Sequence, residues 1–268
     1  MPDPFALAVA QFAPTADRAR NLEAIGEMTA EASAAGARAV VFPEYSSYFV
    51  DPFDVSVREH AEAMDGPFVS ALTRLAAKQG ITVIAGLLEA AGDGRHVHNT
   101  VVAVDAAGVR ARYRKQHLYD AFGQRESDWV AAGALDAPEI FEVEGVACGL
   151  MTCYDLRFPE SARTLVDAGA ELLLVPAEWV RGPLKEAQWE TLLQARAIEN
   201  TVYVAAADHP PPLGVGRSGI IDPQGVAVAT IGTGSGIVLG RIDPDEVARV
   251  RRVNPALRLR RYGVHPRD

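Results

Sequence analysis

The chain has 268 residues, 49% of them hydrophobic, enough to bury a sizeable core in one large domain or two small ones. Thirty-five acidic against 26 basic residues give a net charge of −9, which argues against a nucleic-acid partner. The late arginines Arg249, Arg251, Arg252, Arg258, Arg260 and Arg261 are followed by no glycine-aromatic RNA motif and are expected on a solvated or subunit-contacting face.

In chain order, Phe5–Phe12 reads as a strand and Asp17–Ala35 as a helix with Leu22, Ile25, Met28 and Ala32 on one face and Gly36 as its stop. Ala39–Phe42 is a short buried strand, and Tyr45–Val57 an aromatic, polar loop. Phe68–Gln79 is predicted as a helix closed by Gly80, Ile81–Leu88 as a strand, and Val97–Val104 with Val109–Tyr113 as a hairpin around Asp105-Ala106-Ala107-Gly108. Ile140–Val143 and Val146–Thr152 are strands around Glu144-Gly145. The second half repeats the alternation: helix Pro159–Ala168, strand Glu171–Val175, helix Pro183–Ile198, and strand Val202–Ala207. Strands Ser218–Ile221, Val226–Thr230 and Ile237–Arg241 and a last helix, Asp243–Val250, complete it. No glycine-, serine- or proline-rich linker divides the halves, so one α/β domain over 1–268, built of two similar halves with mixed sheets, is expected.

No run of about 18 apolar residues exists, so no membrane span is expected. The apolar run from Phe5 to Ala10 is broken by Gln11 and has no Lys or Arg ahead of it, unlike a signal peptide. The only two cysteines, Cys148 and Cys153, lie five apart on a predicted strand and should face opposite sides, which disfavours a disulfide. Two thiols cannot build a structural zinc site, and this usage suits a reducing cytoplasm.

Cys153 sits in Met151-Thr152-Cys153-Tyr154-Asp155-Leu156-Arg157-Phe158-Pro159-Glu160, where a buried-strand pattern turns into a helix. A thiol there faces the mouth of an α/β fold close to helix N-terminal amides, a position that suits a nucleophile. Glu44 ends the apolar run Ala39-Val40-Val41-Phe42, and an acid at the end of a buried strand must be paired or must work. Lys115 stands in Tyr113-Arg114-Lys115-Gln116-His117-Leu118. A nearby ammonium favours the thiolate, and a nearby carboxylate can accept the thiol proton, so lysine plus glutamate do the work of the histidine in a Cys–His pair. His98 and His117 are expected to be structural, with His117 bracing its loop. No Gly-x-Ser-x-Gly sequence exists, and Gly232, Gly234 and Gly236 follow no first strand, so they are a poor nucleotide fingerprint. Asp155, Arg157 and Glu160 are expected to lock the turn by mutual salt bridges, with Arg157 alternatively holding a substrate carboxylate. Trp179, ending a strand on the same expected side as Cys153, either walls the pocket or packs the core.

Glutamate, lysine and cysteine in this order, each in its own local pattern, resemble the catalytic set of the nitrilase (carbon–nitrogen hydrolase) superfamily. Ala10-Gln11 with Asn21-Leu22, His98-Asn99-Thr100, Gln188-Trp189, Ala195-Arg196-Ala197-Ile198-Glu199-Asn200, and Ser218 with Asp222-Pro223-Gln224-Gly225 extend the likeness over nearly the whole chain. The resemblance implies a four-layer α-β-β-α sandwich, homodimers or larger assemblies built through the α faces, and no metal or organic cofactor. It also implies a second glutamate, for which Glu126 in Phe122-Gly123-Gln124-Arg125-Glu126-Ser127 is the match, holding Lys115 and positioning leaving amine or incoming water. Tyr154 after the cysteine, where true nitrilases carry tryptophan, resembles the amidase branches that include ω-amidase and deaminated glutathione amidase. The implied reaction is hydrolysis, through a thioester, of a small linear amide carrying a carboxylate, with Arg181 or Lys185 able to meet that carboxylate. An N-carbamoyl or nitrile substrate, and a non-catalytic binding role, are the alternatives. Gln188 and Glu178 depart from the usual pattern, where a histidine and a small or amide residue are common.

Overall fold

The computed structural model describes residues 2–267. The first half runs β1 (Phe5–Gln11), α1 (Arg18–Ala34), β2 (Ala37–Val41), α2 (Ser56–Glu59), α3 (Pro67–Gln79), β3 (Thr82–Ala90), β4 (Val97–Asp105) and β5 (Gly108–Arg114). The second runs β6 (Ile140–Val143), β7 (Val146–Leu150), α4 (Pro159–Asp167), β8 (Leu172–Pro176), α5 (Lys185–Asn200), β9 (Tyr203–Ala207), β10 (Gly219–Ile221), β11 (Ala227–Thr230), β12 (Gly236–Ile242) and α6 (Pro244–Val253). Local chemistry sets the helix ends. The Asp17 carboxylate accepts the N–H groups of Ala19 (2.9 Å) and Arg20 (3.2 Å) at the start of α1. Pro67 opens α3, and Gly80, at φ +64°, closes it in the left-handed conformation that glycine adopts without a Cβ penalty.

Two six-stranded mixed sheets result, ordered β12-β1-β2-β3-β4-β5 and β11-β10-β9-β8-β7-β6. In each, three neighbouring strands are parallel (β1, β2, β3 and β7, β8, β9), and antiparallel strands flank them. The halves superimpose in order if β12 takes in the first sheet the place that β6 takes in the second. β12 does so by pairing antiparallel with β1 from Phe5↔Ile242 to Gln11↔Gly236, so the end of the chain completes the sheet that its start began.

The strands are apolar on both faces, as sheets covered on both sides require. Leu7 and Val9 of β1 point into a core shared with Leu172, Leu174, Ala205 and Ile220 of the other sheet. Ala8 and Ala10 point outward onto Ile25 of α1 and Phe68 and Leu72 of α3. Leu173 and Val175 of β8 likewise pack outward on Trp189, Leu193 and Ala197 of α5. The layers are therefore helix, sheet, sheet, helix, the α-β-β-α sandwich of two similar halves.

Some boundaries differ from the sequence expectation. The loop expected over Tyr45–Val57 gives way to the short helix α2 from Ser56. The helix expected from Pro183 starts at Lys185, because Leu184 adopts a left-handed φ of +62° and cannot continue a helical turn backward. After β7 the chain enters a 3₁₀ turn, Cys153–Arg157, before α4 begins. What matters for function is direction. β5 is antiparallel to β4, and β4 to β3, so β5 runs with the parallel strands β2 and β3. The residues following β2 and β5 thus emerge at one rim of the first sheet, the carboxyl-end rim where ligands bind in open α/β sheets.

Candidate active site

Cys153 leaves β7 at φ +46°, a left-handed conformation that a non-glycine residue adopts only when its surroundings enforce it. The enforcement is visible. The Thr152 hydroxyl donates to the Pro176 carbonyl at the end of β8 (2.6 Å). The fully buried Asp155 carboxylate accepts the Thr152 N–H (3.1 Å), the Tyr113 hydroxyl (2.8 Å) and the His117 N–H (3.1 Å), with the His117 ring nitrogen Nδ1 2.8 Å away. His117 stacks on Phe158 at 3.8 Å, so it braces the loop as expected. Asp155 thereby ties the nucleophile's turn to the segment that carries Lys115. The mutual salt bridges expected among Asp155, Arg157 and Glu160 do not form. The tight turn aims the three side chains apart: Asp155 inward, Arg157 to the Gln188 side-chain oxygen (2.6 Å), and Glu160 into solvent. His98 donates from Nδ1 to the Ala131 carbonyl (3.0 Å), a structural contact.

Glu44, Lys115 and Glu126 meet in one buried cluster, 1%, 2% and 9% exposed. The Lys115 ammonium donates to Glu44 Oε1 (2.9 Å) and lies 2.9 Å from Glu126 Oε2. Asn99 of β4 bridges both acids, its Nδ2 donating to Glu44 Oε1 (2.5 Å) and Glu126 Oε1 (3.1 Å). Glu126 also accepts the Tyr45 hydroxyl (2.5 Å) and the Tyr119 N–H (2.6 Å). The second oxygen of Glu44 accepts the Glu178 N–H (2.7 Å), while the Glu178 carbonyl accepts the Cys153 thiol (3.2 Å). The backbone of one residue, Glu178, thus bridges the Glu44 carboxylate and the Cys153 thiol. Gly86 of β3 makes the approach possible, since a Cβ there would lie 2.6 Å from the Tyr45 nitrogen and 2.8 Å from the Glu44 Cα.

The electrostatics divide the roles. Burial, reinforced by Glu126, raises the Glu44 pKa above the usual carboxylate range even against the Lys115 ammonium. Burial also pushes at Glu126, but Lys115 and the Tyr45 and Tyr119 donors outweigh it and hold that carboxyl below the usual range. Burial alone would lower Lys115; Glu126 and Glu44 keep it well above the usual value. The Cys153 thiol is pushed well up, by burial first and the Glu44 charge next, with Lys115 opposing both. The direction matches the expectation that a carboxylate beside the thiol disfavours a second negative charge: burial and Glu44 outweigh the pull of Lys115 towards the thiolate.

A small pocket over Cys153 is lined by Tyr119, Tyr154, Arg157, Glu178, Trp179, Val180 and Lys185. Trp179 lines the pocket and packs on Trp189 at 5.4 Å; its backbone N–H donates to buried Asp208 (2.7 Å) and its indole N–H to the Lys185 carbonyl (3.0 Å). Arg157 lies over Trp179 (4.8 Å to the ring centre), and Lys185 Nζ donates to the Tyr119 hydroxyl (2.9 Å) and sits 4.0 Å over the Phe122 ring. Of the three cations considered for a substrate carboxylate, Arg157 and Lys185 line this pocket. Arg181 does not; its guanidinium is half exposed beside Glu186 (3.6 Å). Sequence reasoning gave no role to Tyr45, Asn99, Tyr119 or His209, whose Nε2 is 2.8 Å from the Glu44 carbonyl and which burial holds neutral, its pKa pulled down to about 4. Only the stretch His98-Asn99-Thr100 carried a signal, as part of the family likeness.

Comparison with known proteins agrees with this geometry. Residues 6–252 match the model of the carbon-nitrogen hydrolase family. A deaminated glutathione amidase from Escherichia coli O157:H7 is 41% identical over 257 residues, covering 96% of this chain and 97% of that one. The Caenorhabditis elegans NitFhit protein aligns at a TM-score of 0.88 and 31% identity, over 97% of this chain and 66% of that longer one. An amidase from Nesterenkonia sp. aligns at 0.78 and 27% identity, over 93% of this chain and 95% of that one. With the buried Glu–Lys–Cys site on an α-β-β-α sandwich and a family match spanning nearly its whole length, this chain belongs to the carbon-nitrogen hydrolase family.

Proposed function

We propose that this amide-hydrolysing carbon–nitrogen hydrolase is a cysteine amidase that converts a small linear, carboxylate-bearing amide of the ω-amide type to acid and ammonia through a thioester. The observation that carries the reading is the Glu178 backbone, whose N–H binds Glu44 while its carbonyl holds the Cys153 thiol. Glu44 accepts the Cys153 proton as sulfur bonds to the amide carbon. Lys115 and the Tyr154 backbone N–H stabilise the tetrahedral oxyanion, one such donor being worth roughly 3 kcal/mol. The C–N bond breaks as Glu44 returns the proton to nitrogen, and ammonia leaves. Water, deprotonated by Glu44, attacks the thioester; the C–S bond breaks, and the proton goes back to sulfur. Glu126 stays ionised and anchors Lys115. Lys185 and Arg157, both lining the pocket, receive the substrate carboxylate. The 41% identical relative named for an amidase activity supports the amide class. Two buried, unpaired thiols suit a reducing, cytoplasmic setting, and assembly as a homodimer through the outer helical faces belongs to the same reading, to be checked by sedimentation velocity.

An ammonia-release screen over small amides, N-carbamoyl compounds and nitriles tests the proposal. The expected result is turnover of linear ω-amides that is abolished in a folded Cys153→Ala variant. Faster release from N-carbamoyl compounds or nitriles, or hydrolysis by Cys153→Ala within tenfold of wild type, would overturn it.

A further inference from the structure

The pocket over Cys153 is lined by charges of opposite sign. Arg157 and Lys185 supply the basic side. Glu178 supplies the acidic one, and its carboxyl forms no hydrogen bond or ion pair among the described residues; only its backbone is engaged, by Glu44 and by Cys153. The residue is half-buried and lines the pocket, so this carboxyl is free to meet a ligand there. Its charged surroundings are mostly acidic: Glu44, Asp208 and Asp51 add to burial in raising its pKa well above the usual range, and Lys115 opposes them. An arriving cation would reverse that balance and let the carboxyl ionise into a pair.

We propose that Glu178 is a specificity-determining residue that receives an ammonium group on the acyl chain, while Arg157 and Lys185 receive the carboxylate on the same carbon. The preferred substrates are then ω-amides of free α-amino acids, whose zwitterionic head matches a pocket with one acidic and one basic side. This rests on the amidase reading and narrows it. A keto group at that carbon brings only acceptors to Glu178 and leaves the carboxyl unanswered. A bare methylene leaves it desolvated as well.

The test compares kcat/KM for three five-carbon ω-amides carrying ammonium, keto oxygen or only hydrogen beside the carboxylate. Wild type is expected to favour the ammonium compound by about tenfold or more, the effect of one charge-assisted contact. In Glu178→Ala, and in the isosteric Glu178→Gln that guards against misfolding, the ratio should collapse to about twofold or less. Because the readout is a ratio within one variant, a general loss of rate cancels. A preference for the keto or unsubstituted compound in wild type, or a ratio unchanged in both variants, overturns the proposal. Calorimetric Kd values for the same three compounds on Cys153→Ala and on Cys153→Ala/Glu178→Gln separate the two readings. An ammonium preference in binding that Glu178→Gln abolishes, with no turnover of any amide by wild type, would reject the amidase and keep the Glu178 assignment. Equal affinities would reject the assignment whatever the turnover.

Discussion

Replacing Glu126 by Gln should make the enzyme slower and its nucleophile faster to alkylate, opposite signs from a single change. Glu126 is one of two carboxylates on the buried Lys115 ammonium, with Glu126 Oε2 and Glu44 Oε1 each 2.9 Å from Nζ. Stripping a buried ion of its partner costs roughly 3–5 kcal/mol, and Glu44 retains about half of that for Lys115. The new amide nitrogen must also face a donor. Tyr45, Asn99 and Lys115 donate to one oxygen, and the Tyr119 N–H to the other, so a further hydrogen bond is lost. A total near ~3 kcal/mol translates to a Tm lower by roughly 6–12 °C in a chain of this size. Loosened Lys115 should lower acylation by about 10²–10³. The thiol moves the other way, because Glu126 is one of the charges that raise it. Burial, Glu44 and Glu178 weigh more on the thiol than Glu126 does, so removing the Glu126 charge lowers its pKa only modestly. Alkylation of Cys153 by iodoacetamide near neutral pH should therefore accelerate by roughly two- to fivefold. Rapid-quench ammonia release, alkylation followed by mass spectrometry and differential scanning calorimetry on one preparation read all three. Alkylation slowed in step with hydrolysis would refute the electrostatic division of labour, and unchanged hydrolysis would reduce Glu126 to a structural acid.

Three other outcomes follow from the same geometry. Lys115→Ala and Glu44→Gln should each lower single-turnover acylation by about a hundredfold or more, through loss of an oxyanion donor and of the proton carrier; an unchanged rate would make either residue an ordinary structural charge. Gly86→Ala puts a Cβ 2.6 Å from the Tyr45 nitrogen and 2.8 Å from the Glu44 Cα, so it should displace Glu44 and cost about 10²-fold in kcat with a lower Tm; a variant with wild-type kcat would show that this approach is not needed. Burial pushes the Glu89 carboxyl up, but Arg114 (2.8 and 2.5 Å) and Thr100 (2.7 Å) outweigh it and hold it below the usual range. A folded pKa below the unfolded one means its stabilisation is present above about pH 4.3 and is lost as pH falls through the folded value, so Glu89→Gln should lower Tm at pH 7 and flatten the acid limb of the Tm–pH curve; parallel curves would refute that assignment.

The fold was legible where periodicity is local. Leu7 and Val9 alternate with Ala8 and Ala10 because both faces of β1 are covered, and that pattern shows in the sequence. The closure of the first sheet by β12 was not legible, because it joins residues more than 220 positions apart through backbone hydrogen bonds that leave no side-chain signature. The same division holds in the site. Glu44, Lys115 and Cys153 each lie within three residues after a strand, and for Glu44 and Cys153 that strand is a buried apolar run that makes a polar residue stand out. Asn99 lies inside β4 between His98 and Thr100, where nothing marks it out locally, and its contacts arise only because β4 brings it to both Glu44 and Glu126. The salt bridges expected around Asp155 failed because proximity in sequence on a 3₁₀ turn does not bring side chains to one side; its partners Tyr113 and His117 come from another segment. The opposing pulls of Lys115 and Glu44 on the thiol were legible from residue type, whereas the burial that tips the balance upward depends on the three-dimensional packing.

The central claim is that Cys153 carries the acyl group between two half-reactions. A rapid-quench reaction with a linear ω-amide, stopped in acid and measured by intact-protein mass spectrometry, tests it directly. The account expects one added acyl group, located by proteolysis on Cys153 and absent from Cys148, with ammonia released before the acid product and hydroxylamine diverting the acyl group to a hydroxamate. Turnover of that amide with no adduct and no hydroxamate, dependent on added metal ion, would contradict it and put direct attack by metal-activated water in its place.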